Sequence, residues 1–268
     1  DKKEGMRQLI FSKDNKTILR KKEQKNSSLK RIYKSFTPKE LLSIPCFTMG
    51  KGMSFDFESF NPEFERVVEI YNAWGSSESA AKKGNLAPIT CDGKAGIKEE
   101  LSGSIQEALK KNCRFGFVAG GLDDRGDYST FFDNDQEQYL PGLTGIVAPV
   151  LSRESLFDAL YKRSCYATTG ERMIVGFQLA QQIDMGGEIS TQDKPGLVVN
   201  RHLSGFACGT GNIDRAEIIR NGEIIKTFTP DTPTYFFDFE FDDLDPLDKV
   251  CLGGKNKEIP FVYYYLRV

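Results

Sequence analysis

The sequence contains a single histidine, His202, in 268 residues. Zinc sites and catalytic iron sites usually take several of their ligands from imidazole side chains. A histidine-rich metal centre therefore cannot be built from this chain alone.

Long apolar runs are also missing. No segment approaches the roughly eighteen consecutive apolar residues that span a bilayer, and the first four residues, Asp-Lys-Lys-Glu, do not resemble a signal peptide. We therefore predict a soluble protein with no membrane span, cut out of a longer chain. The cytoplasm and a location outside it, reached by export, are both compatible with the sequence.

Cysteines are few and scattered. The six cysteines never form a Cys-x-x-Cys spacing, which argues against a zinc knuckle or a thioredoxin-type pair. Buried thiols are the expected state, and disulfides in an exported protein are the alternative.

An excess of basic residues is absent from the chain as a whole. The net charge is -2 and the pI is about 5.7, whereas binding to nucleic-acid phosphates needs an excess of Lys and Arg. No nucleic-acid ligand is expected. Residues 1–40 are nevertheless basic, with thirteen Lys or Arg against five Asp or Glu. Within them, residues 13–39 are predicted to be a solvated loop, with an anion-binding arm as the alternative.

The composition, 39% hydrophobic and 28% charged, is enough for one large domain or two modest ones. Strands and helices alternate up to about residue 175, which indicates an α/β domain with parallel strands. The predicted strands are residues 9–11, 67–72, 113–119 and 142–150, and the predicted helices are 37–43, 104–111 and one beginning at 152.

The pattern changes after Met173, where only short alternating strands follow. They are predicted at residues 174–179, 197–199, 216–220, 223–228, 235–241 and 261–268, with an Asn-Gly hairpin turn at 221–222. We place a boundary near residue 176, between an α/β domain at 1–176 and a β-sandwich at 177–268. His202 in the sandwich is expected to be a surface or hydrogen-bonded strand residue. The acidic residues between 238 and 248 are expected to line a solvated strand edge, with calcium binding as the alternative, although they lack the regular spacing of an EF-hand loop.

Polar residues at strand ends are the candidate site, because α/β folds place their chemistry at the carboxyl ends of parallel strands. Glu69 interrupts an apolar strand that leads to Asn72 and Glu78. A carboxylate there is either a site residue or on a solvated face. The turn after the next strand carries Asp123, Asp124 and Arg125, which suit a hard cation or acid/base chemistry, but acidic turns are also ordinary loop structure.

Two further groups are weaker candidates. Thr168, Thr169 and Arg172 offer hydroxyls and a guanidinium for an anionic group, with a domain-joining turn as the alternative. Cys46 offers a soft ligand or nucleophile, but no histidine is near it in sequence to activate it, which favours a buried thiol.

Four sequence blocks together resemble the domain-of-unknown-function family 3604 of bacterial proteins, in the PHP (polymerase and histidinol phosphatase) metallohydrolase superfamily. Residues 42–48, Leu-Ser-Ile-Pro-Cys-Phe-Thr, are similar to the family's Ile-Pro-His-His-Thr, and residues 68–78 to Val-Glu-Ile-Tyr-x-x-x-Gly-Ser-Ser-Glu. Residues 116–125 resemble Gly-Phe-Ile-Ala-Gly-Ser-Asp-Asp-His, and residues 165–172 resemble Cys-Tyr-Ala-Thr-Thr-Gly-x-Arg. The order and spacing agree over nearly the whole chain, including the hairpin at 214–222.

The departures from the family concern its metal ligands. Cys46 and Phe47 stand at the family's histidine pair, and Arg125 follows Asp123 and Asp124 where the family has Asp-His. The histidine-bearing first strand of a PHP domain has no counterpart. The resemblance thus implies the carboxyl-terminal portion of a distorted β/α barrel followed by a β-sandwich, with a companion polypeptide supplying the amino-terminal half, or a homo-oligomer.

For function, the resemblance implies a divalent-metal-dependent, phosphoesterase-type hydrolase with a weakened or lost metal site. The catalytic groups would be Asp123, Asp124 and Glu69. The two aspartates would also bind the metal, with Cys46 as a further ligand. The substrate would be held by the remaining polar candidates: Arg125, Asn72, Glu78, Thr168, Thr169 and Arg172. The alternatives are a catalytically degenerate binding or scaffold protein, and a hydrolase that has exchanged metal for a mechanism through Cys46.

Overall fold

The computed structural model describes residues 4–16, 18–20, 22–89, 98–120, 139–254 and 259–268. These residues form a mixed α/β structure that is mostly sheet, with few helices. The chain divides into two compact units, Asp1–Gly170 (unit 1) and Glu171–Val268 (unit 2). The division lies between two strands, Cys165–Thr168 and Ile174–Leu179.

Unit 1 contains seven strands and three α-helices among its described residues. In chain order they are β1 (Met6–Phe11), α1 (Leu29–Lys34), β2 (Leu41–Cys46), β3 (Val67–Asn72), β4 (Gly75–Ser76), α2 (Ile105–Lys110), β5 (Gly116–Ala119), β6 (Leu143–Ile146), α3 (Arg153–Tyr161) and β7 (Cys165–Thr168). Short 3-10 turns lie at Gln24–Asn26, Ala81–Lys83 and Leu101–Gly103.

These strands form three small sheets. β1 pairs antiparallel with β2, β3 lies between β4 and the parallel strand β5, and β6 pairs antiparallel with β7. Residues of β2, β3, β5, β7 and α3 share one apolar core, which includes Leu42, Val67, Val118, Leu160 and Cys165. No closed barrel is present in the described part of the chain, so the barrel portion of the expected fold stays a prediction.

β2 and β3 are buried on both faces, since all six residues of β2 and five of the six in β3 are buried. Such strands are typical of the interior of parallel sheets. The predicted strand at 67–72 is confirmed, and so are the predicted helices at 104–111 and from 152, as α2 and α3.

Three predictions in unit 1 need correction. The helix expected at 37–43 is a turn followed by β2: Glu40 accepts a hydrogen bond from the Thr37 backbone N–H at 2.9 Å, as in a capping box, but the chain then extends. The loop expected at 13–39 contains α1, which Ser28 caps. The strand expected at 142–150 is only Leu143–Ile146 and pairs antiparallel.

Unit 2 is built of two antiparallel sheets. Its elements are β8 (Ile174–Leu179), β9 (Ile183–Asp184), β10 (Arg201–Cys208), β11 (Ala216–Arg220), β12 (Glu223–Phe228), β13 (Phe236–Asp243), α4 (Leu247–Val250) and β14 (Tyr264–Arg267), with a 3-10 turn at Pro195–Val198. One sheet has the order β13-β10-β8-β9 and the other β12-β11-β14. Phe177, Leu203 and Phe239 of the first sheet share a core with Ala216 and Ile218 of the second, which gives a sandwich-like packing.

The Asn-Gly hairpin is confirmed. Asn221 and Gly222 join β11 to β12 with φ values of 55° and 88°, as a type I′ turn requires. The strand expected at 197–199 is wrong, because Pro195–Val198 forms a 3-10 turn. β10, an inner strand of its sheet, was not predicted.

The cysteines and the apolar character of the helices can be compared with the sequence. All five described cysteines are free thiols, and those of unit 1 (Cys46, Cys113 and Cys165) are buried. Over the described ranges, no helix has both the length and the apolar character needed to cross a membrane.

Candidate functional site

The carboxyl ends of β2, β3 and β5 meet at one edge of unit 1. β3 and β5 are parallel, with Glu69 opposite Val118. The Ser43 N–H donates to the Phe64 carbonyl at 2.9 Å and the Phe47 N–H to the Glu69 side chain at 3.2 Å, so β2 runs alongside β3 in the same direction. Cys46 and Asn72 end β2 and β3, Phe47 and Gly120 follow β2 and β5, and Glu69 lies within β3. We call these five residues the Glu69 site.

Glu69 lies at the centre of this site and is only 3% exposed. Its Oε1 accepts hydrogen bonds from the Phe47 N–H at 3.2 Å and from Asn72 Nδ2 at 2.7 Å. Its Oε2 lies against Gly120, where an added Cβ would stand 3.0 Å away. Asn72 is itself held in place, because its Oδ1 accepts from the Trp74 N–H at 2.8 Å.

Burial raises the pKa of Glu69 from its ordinary 4.5 to about 7, although the hydrogen bonds from Asn72 and Phe47 oppose the shift. At neutral pH the carboxyl is therefore present in both protonated and ionised forms. A group with this property can accept or donate a proton under physiological conditions. Proton transfer by Glu69 is therefore the chemistry that the site can support.

Cys46 is fully buried, and its Sγ donates to the Ile44 carbonyl at 3.2 Å. Burial, and then the charge of Glu69, raise the pKa of the Cys46 thiol well above its ordinary value. The thiolate is the form that attacks carbon or binds metal. These contacts favour the buried-thiol alternative over a nucleophile or soft ligand.

Phe47 occupies the position where the resemblance implies a metal-binding histidine. Its backbone has φ 52°, a left-handed conformation that is uncommon for a bulky residue. Its ring packs in a buried apolar cluster with Met49, Trp74 and Ile89, and lies so close to Gly50 that an added Cβ there would stand 2.3 Å from a ring carbon.

The other predicted site residues are placed differently. Asp123, Asp124 and Arg125 lie outside the described residues, so their roles stay predictions. Glu78 is buried beside α2, where its carbonyl accepts from the Gln106 N–H and Ser104 Oγ, both at 3.1 Å.

Thr168 ends β7 near the same edge as the Glu69 site. An added Cβ at Gly142 would contact the Thr168 carbonyl at 2.9 Å and the Tyr71 ring at 2.7 Å, so the ends of β7 and β3 are close. Thr169 and Arg172 are exposed, and Arg172 belongs to unit 2. The structure thus brings together Glu69, Asn72 and Cys46, with the end of β7 nearby.

The described residues do not form a metal-ligand set. Across the ranges the structure covers, no three or more His, Cys, Asp or Glu side chains lie close enough together to hold a metal ion. At the Glu69 site itself, the described donors beside the one carboxylate are a backbone N–H, the amide of Asn72 and the buried thiol of Cys46. These described groups do not by themselves make up the oxygen-ligand set of a divalent cation.

A second buried polar cluster was missed in the sequence. Glu65 is completely buried and accepts from Arg7 Nε and from the Tyr33 hydroxyl, each at 2.9 Å. The Arg7 guanidinium also lies over the Phe55 ring, 3.9 Å from its centroid. The sequence feature that could have indicated this cluster is a carboxylate two residues before an apolar strand. Its partners are distant in sequence, and this paired arrangement indicates a structural role.

Two predictions for unit 2 can be compared with the structure. His202 lies in β10 with its Nδ1 2.8 Å from Asp242 Oδ1, which confirms a hydrogen-bonded strand histidine. β13 is an edge strand with exposed carboxylates, as expected, but Asp243 is an exception. It is buried and accepts hydrogen bonds from Arg220 at 2.8 Å and from Tyr264.

Comparison with known proteins gives a family match over part of the chain. Residues 104–210 match the family "Protein of unknown function (DUF3604)". The match confirms the family resemblance for that range and leaves the PHP superfamily as a prediction.

Three curated relatives are similar to almost the whole chain. An uncharacterized protein of Chlamydia pneumoniae is 52% identical over 265 residues, and uncharacterized proteins of Chlamydia trachomatis and Chlamydia muridarum are each 51% identical over 266 residues. Each alignment covers 99% of this chain but 42% of the relative, so the chain spans about two fifths of their length. No solved structure matches the chain.

Proposed function

We propose that this chain carries a PHP-like hydrolase domain whose metal site is degenerate, joined to a β-sandwich, and that it works as a binding or scaffold module with further polypeptide. The observation that carries the proposal is the position of Phe47. A buried phenyl ring, packed on Trp74, Met49 and Ile89, stands where the resemblance implies a metal-binding imidazole. A phenyl ring offers no lone pair to a cation, and this cluster leaves the ring in a dry, apolar environment.

The parallel strands support the ancestry part of this proposal. β2, β3 and β5 run in one direction with their carboxyl ends at the Glu69 site, as in β/α folds that bind ligands at this edge. The match to residues 104–210 spans α2 to β10. The strand direction fits a barrel portion with an ancestral active site at the Glu69 edge, and the family match covers the chain from α2 onward.

The relatives support the need for further polypeptide. They are more than twice as long as the aligned region, so additional chain accompanies this sequence in each of them. We propose that such chain, covalently joined or separate, supplies the missing amino-terminal half of the barrel. A homo-oligomer is the alternative source of contacts.

The test is metal binding and phosphodiester hydrolysis by the protein in its native polypeptide context. We expect no bound divalent metal by plasma mass spectrometry, and no hydrolysis of bis(p-nitrophenyl) phosphate above the buffer rate with added Mn²⁺ or Zn²⁺. The double variant Cys46→His/Phe47→His, compared with Phe47→Leu as a packing control, is expected to gain Zn²⁺ binding. Stoichiometric metal and metal-dependent hydrolysis in the unmodified protein would contradict the proposal.

A second candidate function is favoured by the pKa of Glu69. A carboxyl with a pKa of about 7 beside a backbone N–H suits an acid/base role in a hydrolase, with Asp123 and Asp124 as further catalytic groups and Arg125 and Arg172 holding an anionic substrate. If hydrolysis is found, Glu69→Gln should lower kcat at least about a hundredfold. The exposed control Glu63→Gln should leave kcat unchanged.

A further inference from the structure

The outer face of the four-stranded sheet in unit 2 carries exposed apolar side chains. In β10, Leu203 and Ala207 point into the core with no exposure, so the alternate residues Phe206 and Cys208 point outward. The strand register places Ile174 and Phe236 on either side of Cys208. We call Ile174, Phe206 and Phe236 the outer aromatic face.

This face is preformed. Ile174, Phe206 and Phe236 are 58%, 38% and 54% exposed, and the two rings stack with centroids 6.2 Å apart. The Phe206 ring lies directly over Gly176, where an added Cβ would stand 2.3 Å from a ring carbon. Exposed apolar groups that are contiguous, rather than scattered, mark interaction surfaces.

A row of carboxylates continues the same face. Asp238 and Glu240 alternate along β13 and are exposed, and neither forms an ion pair with any described residue. Asp242, the next in the row, is already bonded to His202 at 2.8 Å and to Asn200 at 2.9 Å. Asp238 and Glu240 point away from the core because the alternate residue Phe239 is buried, so these two carboxylates are open to a partner.

Charges of the opposite sign are exposed on α1 in unit 1. Lys30 and Lys34 lie one turn apart on the same side of the helix, are exposed, and form no ion pair within the described part of the chain. They belong to the basic segment 1–40, with its thirteen Lys or Arg. Ile18, in the same segment, is 76% exposed.

The two pairs of charges also match in spacing. Residues four apart on a helix rise about 6 Å, and residues two apart on a strand about 7 Å. Lys30 and Lys34 can therefore meet Asp238 and Glu240 one to one. Lysine ammonium groups are in addition attracted to the faces of aromatic rings such as Phe206 and Phe236.

We propose that the outer aromatic face of one copy of this chain, with Asp238 and Glu240, binds the Lys30–Lys34 side of α1 in a second copy. This contact satisfies carboxylates and ammonium groups that the described structure leaves without ion pairs. It also covers apolar surface that is otherwise exposed to water.

The test is the mass of the protein by analytical ultracentrifugation in 50 mM and 500 mM NaCl. We expect association at low salt that weakens at high salt, because exposed charge pairs are screened. The face variant Asp238→Lys/Glu240→Lys and the helix variant Lys30→Glu/Lys34→Glu should each weaken self-association at least about tenfold. A mixture of the two variants should associate again, because each then presents the charge that the other lacks.

The matched control is Asp193→Lys/Asp231→Lys, which changes the net charge equally at exposed positions that belong to none of the strands of the face. It should leave association unchanged, whereas Phe206→Ser/Phe236→Ser should weaken it. Circular dichroism confirms that each variant is folded. A monomer at every salt concentration, association insensitive to the face variant, or no recovery in the mixture would overturn the proposal. So would a monomer that uses this face to bind an added oligolysine peptide.

Discussion

Glu69 shows how an apolar strand can set the protonation of one carboxyl group. Five of the six residues of β3 are buried, Glu69 among them, and the two hydrogen bonds to Oε1 do not offset the loss of water. The folded state therefore holds the Glu69 proton up to a higher pH than the unfolded chain does.

The first prediction concerns the free energy of unfolding. Between pH 4.5 and about 7 the folded protein keeps the Glu69 proton and the unfolded chain releases it, so stability should fall as pH rises. Above pH 7 both states are ionised and the loss, about 3 kcal/mol from this group, is constant. Urea unfolding at pH 4.5, 6 and 8 measures it.

Glu69→Gln removes the titrating group and keeps an oxygen acceptor for Phe47 and Asn72. This variant should lose most of that fall, and the exposed control Glu63→Gln should keep it. Equal pH dependence in Glu69→Gln and the unmodified protein would contradict the assignment.

At this scale the sequence predicted the ionisable group but not its surroundings. Glu69 and Asn72 were recognised because a carboxylate inside an apolar strand needs a partner or a site. The hydrogen bond from the Phe47 N–H was not predicted, because a backbone donor has no sequence signature. Glu65 was missed because its partners Arg7 and Tyr33 are distant in the sequence.

The strands of unit 2 depend on close contacts at glycines. Gly205 lies in the inner strand β10, where an added Cβ would stand 2.6 Å from the Phe239 ring and 2.7 Å from the Gly176 carbonyl. The carbonyl belongs to the neighbouring strand β8, which cannot move without disturbing the ladder.

The second prediction is that Gly205→Ala destabilises unit 2 by about 1–3 kcal/mol, the usual cost of overpacking. Gly211→Ala is the matched control in the same unit, since an added Cβ at Gly211 meets nothing within 4 Å. It should change the midpoint of thermal unfolding little. An equal loss in both variants would show that the contact at Gly205 is relieved by movement.

Elements with a strong local pattern were predicted correctly, and those decided by distant contacts were not. The Asn-Gly turn was predicted because its two residues favour positive φ, and β3 because its apolar residues form a continuous run. α3 was predicted because Ser152 is a helix-capping residue. β10 was missed because Gly205 and the polar residues His202 and Ser204 interrupt its apolar pattern. Thr37 to Glu40 has the residues of a helix start, but the chain extends into β2 because Leu41 and Leu42 are buried.

The whole molecule has a separate hydrophobic core in each unit. Val67 belongs to the core of unit 1 and Leu203 to that of unit 2, and neither side chain is exposed. Units with their own cores generally fold as units.

The third prediction is that Leu203→Ala costs unit 2 about 2–5 kcal/mol and leaves amide hydrogen exchange in β3 and β5 unchanged. Val67→Ala is the reciprocal variant and should speed exchange in β3 and β5 while sparing β10 and β11. Faster exchange throughout both units in either variant would show one cooperative structure instead of two.

The distribution of the thiols has a practical consequence. The described cysteines of unit 1 are buried, whereas Cys208 and Cys251 in unit 2 are only partly covered. Cys208 lies between Ile174 and Phe236 in the strand register. A maleimide dye attached there would place a fluorophore on the outer aromatic face, so that the protein's own thiol could report, through quenching or polarisation, whether that face is occupied.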